Sequence, residues 1–307
     1  MSCASPIRLA TRGSALARWQ AQWVAARLQS LDLAVRLVPV STHGDRQQKG
    51  PIGAIGSQGV FTKEIQAAVL RRRADLAVHS LKDLPTDEVQ GLCLAAVPER
   101  GPAGDALVCR EHRRLADLPE GAVLGTGSLR RRAQLLHVRG DLRVEDIRGN
   151  MDTRLRKLDA GRYDALVLAE AGLRRLGLAE RITEMLPLSV VLPAVGQGAL
   201  GLEIRAGDEA LREVLSRLDH PPTHAAVRAE RAMLAALRGG CLAPIAAWGR
   251  LVDGALVLTG RVLHPMGTTK LETTGTADAA QPERLGRQVA EELIAQGAAE
   301  LIRASRE

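Results

Sequence analysis

Short aliphatic runs alternate with amphipathic stretches through the first 200 residues, and this alternation limits the fold more than any other feature of the chain. Ile7–Ala10, Val35–Val40, Asp75–His79 and Leu92–Val97 have strand length. Between them, segments such as Leu16, Trp19, Trp23 and Leu28 keep helical spacing behind a capping Ser14, and Thr62–Arg71 reads as a second helix. Strand and helix in alternation build βαβ units, an α/β fold with a sheet covered by helices. Only three Trp, one Tyr and one Phe occur in 307 residues, so the core must be aliphatic. That length suits two or three domains. No run approaches the ~18 apolar residues of a bilayer span and the N-terminus lacks a signal-peptide apolar stretch, so the expectation is a soluble, cytoplasmic protein with no membrane partner.

The alternation is interrupted by the turn-rich segment 98–105 and then restarts, with strands at Ala122–Leu124, Arg143–Ile147 and Ala165–Ala169 and helices at Leu129–His137 and Thr153–Ala160. The two halves echo each other: Thr11-Arg12-Gly13-Ser14 and Thr126-Gly127-Ser128 each follow a strand and open a helix. Two similar α/β domains with helix N-termini on a shared cleft are therefore expected. A second break lies in the run before Val195, and His220-Pro221-Pro222 precedes a helix at Thr223–Leu237. Strands at Ile245–Val252 and Ala255–Leu263 and a helix near Pro282–Gln296 complete a tail of ~85 residues, long enough for a small third domain. Residues Thr42–Gly59, rich in glycine and polar side chains, read as a mobile lid or a disordered loop.

The formal net charge is +7, and of 42 basic side chains only five are lysine. Guanidinium grips carboxylate and phosphate bidentately, so the excess permits an anionic partner. Scarce aromatics weigh against single-stranded nucleic acid, and Arg71–Arg73 reads as a solvated helix-end cluster. No P-loop, nucleophile elbow or His-Glu-x-x-His spacing is present, and Cys3, Cys93, Cys109 and Cys241 contain no C-x-x-C pair. Neither a metal nor a disulfide framework is expected. Cys93 and Cys109 lie in apolar runs, whereas Cys241 stands in the Gly-flanked loop RGGCLAP.

Four loops combine small residues with neighbouring arginines: residues 11–14, residues 125–131 with Arg130 and Arg131, residues 148–154, and residues 171–175. Small residues let backbone N–H groups reach an anion at the positive end of a helix, and arginines close on it from the side. Four such loops imply several anionic groups in one site. The run His79-Ser80-Leu81-Lys82-Asp83-Leu84-Pro85 follows a strand at the end where open α/β sheets bind ligands, and Asp83 is its only carboxylate, suited to stabilising a cation or moving a proton.

HSLKDLPT, GTGSLRRRAQL, RGNMDTRLRKL, LPAVGQGALGLE and AERAMLAALRGGCLAPI occur together in this order, and over essentially the whole chain the sequence resembles the porphobilinogen deaminase (hydroxymethylbilane synthase) family of tetrapyrrole and heme biosynthesis. The resemblance implies a monomeric transferase that joins four porphobilinogen molecules head to tail, releasing ammonia each time, on a dipyrromethane primer held by a thioether, and then frees the product by hydrolysis. By motif position it implies Cys241 as the attachment point, Asp83 as the catalytic group, and Lys82, Ser128, Arg130, Arg131 and Arg148 as cofactor contacts. Substrate contacts are implied at Arg12, Ser14, Phe61, Ser80, Arg154, Arg175 and Gln197. The implied architecture has two lobes like periplasmic binding proteins, with mixed sheets, at 1–98 with 199–218 and at 104–193, and a small C-terminal α/β domain at 221–307 carrying the cysteine. Ala54 and Gln58 depart from the lysines common in the family's loop, and Gly127 replaces a common serine. The competing expectation is a non-catalytic, two-lobed binding protein for a small polycarboxylate; a nucleic-acid-binding protein is the other class considered.

Overall fold

The computed structural model describes residues 5–41, 62–111, 113–240 and 243–305. The chain divides into two compact units, Met1–Arg100 with Ala199–His224, and Gly101–Gly198 with Ala225–Glu307. In chain order the first contains β1 (Ile7–Thr11), α1 (Ala15–Gln29), β2 (Val35–Pro39), α2 (Lys63–Leu70), β3 (Leu76–Ser80) and β4 (Leu92–Ala96). The second then contains β5 (Asp105–Cys109), β6 (Val123–Gly125), α3 (Leu129–Val138), β7 (Arg143–Glu145), α4 (Met151–Asp159), β8 (Ala165–Ala169), α5 (Glu170–Arg175) and β9 (Glu184–Met185). The chain returns to the first unit as β10 (Leu200–Arg205) and α6 (Glu209–Ser216). Helix α7 (Pro221–Leu237), β11 (Ile245–Val252), β12 (Ala255–Leu263), β13 (Lys270–Asp278), α8 (Pro282–Ala295) and α9 (Ala298–Ala304) follow.

The fold is mixed α/β, with two five-stranded sheets and a small C-terminal α/β domain. In the first unit the order is β2-β1-β3-β10-β4; β1, β2 and β3 run parallel and β10 antiparallel to its neighbours. The antiparallel β10 places Leu200 opposite Ser80 and Gly201 opposite His79, so the returning chain braces the end of β3 that leads into Lys82 and Asp83. Ser14 accepts a hydrogen bond from the Ala17 amide and caps α1, whose Ala21, Val24, Ala25 and Leu28 are buried against the sheet. The core there is aliphatic.

In the second unit one sheet has the order β7-β6-β8-β5-β9 and the other is the antiparallel β11-β12-β13. Three of these strands, β5, the two-residue β9 and β13, lie outside the sequence expectation. Residues 105–109 were expected to begin after a polar turn and no strand was assigned, yet β5 is completely buried and pairs antiparallel with β8. Strand β13, KLETTGTAD, is alternately exposed and half-buried except at Gly275, and polar β-forming residues on an outer strand give no aliphatic run to detect. The residues 171–175, expected as a loop leading into a helix, lie inside α5, which starts directly after β8 at Glu170.

Gly198 ends the segment that joins the second unit to β10. Its φ is +86°, and a Cβ there would stand 2.6 Å from the Gly101 carbonyl oxygen and 2.7 Å from that of Pro102. Both obstacles are backbone, so the strain cannot be relieved by a rotamer change. Gly198→Ala is expected to destabilise the protein by about 2 kcal/mol. A lowered thermal midpoint checks this; an unchanged midpoint contradicts it.

Candidate functional site

In the first unit, one pocket is lined by Arg12, Ser14, Leu16, Ala17, Gln20, Thr62, Ile65, Val78, His79, Ser80 and Asp83. It lies where β1 and β3 end and where α1 and α2 begin, so the sheet delivers Arg12 and Ser80 while the helices present their N-terminal ends. Four of the residues expected from the sequence, Arg12, Ser14, Ser80 and Asp83, meet here. Asp83 is exposed and is the only carboxylate among the lining residues; it closes a 3-10 turn, Leu81–Asp83, together with the half-buried Lys82. The Leu81 amide donates to the Ala199 carbonyl, and that bond fixes the turn against the returning chain. Ser80 exchanges hydrogen bonds with Gln20 of α1: the Gln20 amide donates to Ser80 Oγ at 2.7 Å, and Ser80 Oγ lies 3.2 Å from Gln20 Oε1.

The second unit is organised around Asp105, at the start of β5 and fully buried. Arg131 on α3 donates to its Oδ1 through Nη2 at 2.6 Å and Nε at 2.9 Å. Arg130 Nη1 pairs with Oδ2 at 2.8 Å. Gln197 Nε2 also donates to Oδ1 at 3.0 Å and to the Ala103 carbonyl at 2.7 Å. Burial on its own would raise the carboxyl's pKa, but the two guanidinium groups outweigh it and hold Asp105 at about 2. Burial lowers the pKa of Arg130, whose own environment is as dry. Arg131 reaches the Val167 carbonyl at 3.1 Å, and Arg130 the Leu192 carbonyl at 2.5 Å, so both arginines are fixed in direction by backbone as well as by charge.

Two positive charges on one negative leave the cluster with a surplus of one. Around it, Ser128 caps α3 by accepting from the Arg131 amide, and Asn150 caps α4 by accepting from the Thr153 amide. Arg154 Nε donates to the Gly149 carbonyl at 2.8 Å, and Arg175 to that of Gly198 at 2.6 Å. Burial lowers the Arg175 pKa. The half-buried Arg148 contributes its carbonyl to Lys157 Nζ at 3.0 Å. The buried Arg130 Nε–H has no hydrogen-bond partner among the described residues. A buried donor left unmade costs about 1–3 kcal/mol, so an acceptor belongs beside it. Arginine donors with surplus positive charge fit a group bearing carboxylates, and the cluster therefore suits the dipyrromethane that the sequence resemblance implied. Cys241 and Phe61 lie outside the described residues, as does the loop expected over Thr42–Gly59.

Asp105, Gln134 and Glu203 were not singled out from the sequence. Gln134 accepts from the Leu192 amide at 2.8 Å and donates to the Leu192 carbonyl at 3.1 Å, and Arg261 of β12 donates to its Oε1 at 2.6 Å. This chain of contacts ties the C-terminal sheet to the helix bearing Arg130. The one available sequence signal was at Glu203, a carboxylate inside the otherwise aliphatic run ALGLEI, which is costly to bury alone. Among the described residues no group of His, Cys, Asp and Glu is arranged to hold a metal, and no helix is long and apolar enough to cross a membrane.

A family model described as porphobilinogen deaminase, dipyromethane cofactor binding domain, matches residues 7–213, and one described as porphobilinogen deaminase, C-terminal domain, matches residues 224–295. The chain is 50% identical over 294 residues to the porphobilinogen deaminase of Desulforudis audaxviator, covering 95% of each, and 50% identical over 301 residues to that of Gloeobacter violaceus, covering 96% of this chain and 92% of the relative. A solved nutrient-binding protein from Burkholderia cenocepacia bound to methionine is similar at 14% identity and a TM-score of 0.43, covering 68% of this chain and 90% of its own. That score is too low to bear on the fold, which rests on the sheets above.

Because the Asp105 value lies below the ~3.9 of a free aspartate, its ionised form contributes stability that is fully present above about pH 4 and is lost as the pH falls towards about 2. Asp105→Asn leaves two buried guanidinium groups without their counter-charge and is expected to cost about 3–5 kcal/mol at neutral pH. Denaturant midpoints of both proteins across pH 3–7 check the pair of statements. A variant as stable as the native protein at pH 7 contradicts them.

Proposed function

The chain belongs to the porphobilinogen deaminase family, and from that premise we propose that it joins four porphobilinogen molecules head to tail with loss of ammonia and releases hydroxymethylbilane by hydrolysis. The observation that carries this reading is the gathering of Arg12, Ser14, Ser80 and Asp83 on one pocket of the first unit. Each porphobilinogen bears an acetate and a propionate, and Arg12 with the Ser14-capped start of α1 supplies donors for them. When the aminomethyl nitrogen departs, positive charge develops on the pyrrole. Asp83 is the one carboxylate among the described residues lining the pocket, and it stabilises that charge and exchanges the accompanying protons.

Cys241 is proposed as the anchor of the dipyrromethane, with residues 221–307 as the cofactor-anchoring domain. When bound, that group supplies the acceptor end to which porphobilinogen is added. Ser128, Arg130, Arg131, Arg148 and Lys82 hold its carboxylates in this reading, while Arg154, Arg175 and Gln197 serve the growing chain. Support comes from the second unit's surplus of arginine charge and from the rigid placement of Arg130 and Arg131 by Asp105. Phe61 is proposed as a ring contact. A cytoplasmic monomer working without metal completes the proposal. A polycarboxylate-binding protein without activity would use the same arginines, but it has no use for a lone carboxylate set among the donors.

The intact mass of the purified protein tests the reading. The mass is expected to exceed that of the bare chain by one dipyrromethane, with a positive Ehrlich reaction, and Cys241→Ala is expected to lose both. An unmodified, colourless and inactive protein from a host that makes porphobilinogen contradicts the proposal. Asp83→Asn is expected to keep the added mass and lose at least about 100-fold in turnover; near-native turnover overturns the role of Asp83.

A further inference from the structure

Behind the pocket of the first unit lies a buried polar chain that the proposed mechanism does not use. His79, which lines the pocket, is 4% exposed, and its Nε2 stands 3.0 Å from Glu203 Oε2 on β10. Gln66 of α2 donates to the other oxygen, Oε1, also at 3.0 Å. A carboxylate, an imidazole and an amide buried together in an aliphatic sheet are costly unless each is satisfied, and a leucine in place of each would pack the same space. The strand register puts Gly201 opposite His79 and Glu203 opposite Ala77, so the carboxylate reaches diagonally to the ring past a residue without a side chain. A Cβ at Gly201 would meet Leu81 and Leu94 side chains at 2.7 and 3.0 Å, so the strand is already closely packed at this point.

Glu203 is acceptor-only when ionised, so Nε2 carries the proton and donates it. Nδ1 is left as the unprotonated nitrogen of the neutral ring, and among the described residues the imidazole's hydrogen bond is to Glu203. The carboxylate fixes the ring's orientation and tautomer and leaves Nδ1 as its free acceptor. The charged and titratable groups on the surrounding elements are Arg8 on β1 and Arg205 on β10, both paired with Asp75 before β3, Arg12 after β1, Lys82 and Asp83 in the turn after β3, Lys63 and Glu64 in the first turn of α2, and Cys93 on β4, whose thiol burial pushes up with a contribution from Glu203.

We infer that His79, held in one tautomer by Glu203, is a second proton-handling residue of this pocket beside Asp83. The inference deepens the reading of the pocket as a porphobilinogen site and rests on it. Each condensation breaks the C–N bond of a protonated aminomethyl group, with the electron pair leaving on nitrogen as ammonia; the free ring carbon of the acceptor pyrrole forms a C–C bond to the methylene so exposed and then gives up its own proton. His79 Nδ1 accepts that proton while Nε2–H stays on Glu203, and the imidazolium then returns it to the departing ammonia or to water. Asp83 keeps the developing charge company throughout and need not be neutralised by the released proton.

Two measurements decide it. In His79→Gln, glutamine keeps a donor for Glu203 but binds no proton; KM for porphobilinogen is expected to stay within about twofold, kcat to fall about 100-fold, and the acid limb of the kcat–pH profile to shift or vanish. A structural role lowers the folded fraction without moving that profile, so an unchanged profile shape, or a loss confined to KM, overturns the inference. On the unsubstituted holoenzyme, nitrogen NMR of labelled histidine, with His79 assigned by its absence in the variant, is expected to show an Nε2–H tautomer with Nδ1 unprotonated. A ring carrying its proton on Nδ1 instead overturns the inference. The NMR result reads His79 directly, so it separates failure of this inference from failure of the functional reading, which would show as a protein lacking pyrrole and turnover altogether.

Discussion

The second unit depends on one buried carboxylate. Asp105 begins β5 with no exposed surface, and Arg130, Arg131 and Gln197 converge on it from a helix and from the segment before β10. A lone aspartate in such a position would take a proton or unfold its strand, and two guanidinium groups there without it would repel each other. Together they form a rigid block with one positive charge to spare. The carboxylate that anchors the start of β5 thus also fixes the direction of both arginines.

The first unit solves a related problem differently. Its donors sit at strand ends and helix starts, where backbone N–H groups are unpaired by the geometry of a helix, and it adds an exposed Asp83 on a short turn. The turn is held by β10, a strand that arrives only after the chain has built residues Gly101–Gly198 of the second unit. Antiparallel insertion of β10 beside β3 brings Glu203 to His79 and Ala199 to Leu81, so the pocket's chemistry depends on the chain's return.

Much of this was legible in the sequence wherever the chemistry is local. Ser14 and Ser128 cap the helices they precede, and the aliphatic runs at Ile7, Leu76 and Ala165 are strands because their neighbours are turn-formers and amphipathic helices. The five long motifs pointed to the family, and the match of family models to 7–213 and 224–295 agrees. What depends on distant partners was not legible. Asp105 follows Pro102, Ala103 and Gly104 and reads as the end of a polar turn; only arginines 25 and 26 residues onward make it a core residue. Likewise Arg130 and Arg131 were read as free grips for an anion, whereas each already holds Asp105, and Arg154 and Arg175 hold backbone carbonyls. Strand β13 was missed because one face of it is wet.

In the proposed reading Asp105 pre-organises Arg130 and Arg131 for a carboxylate-bearing cofactor. The most direct test is the intact mass of folded, soluble Asp105→Asn protein, read as the fraction of chains carrying one dipyrromethane. The account predicts a fraction well below that of the native protein prepared alongside it. Full loading of the folded variant would contradict it.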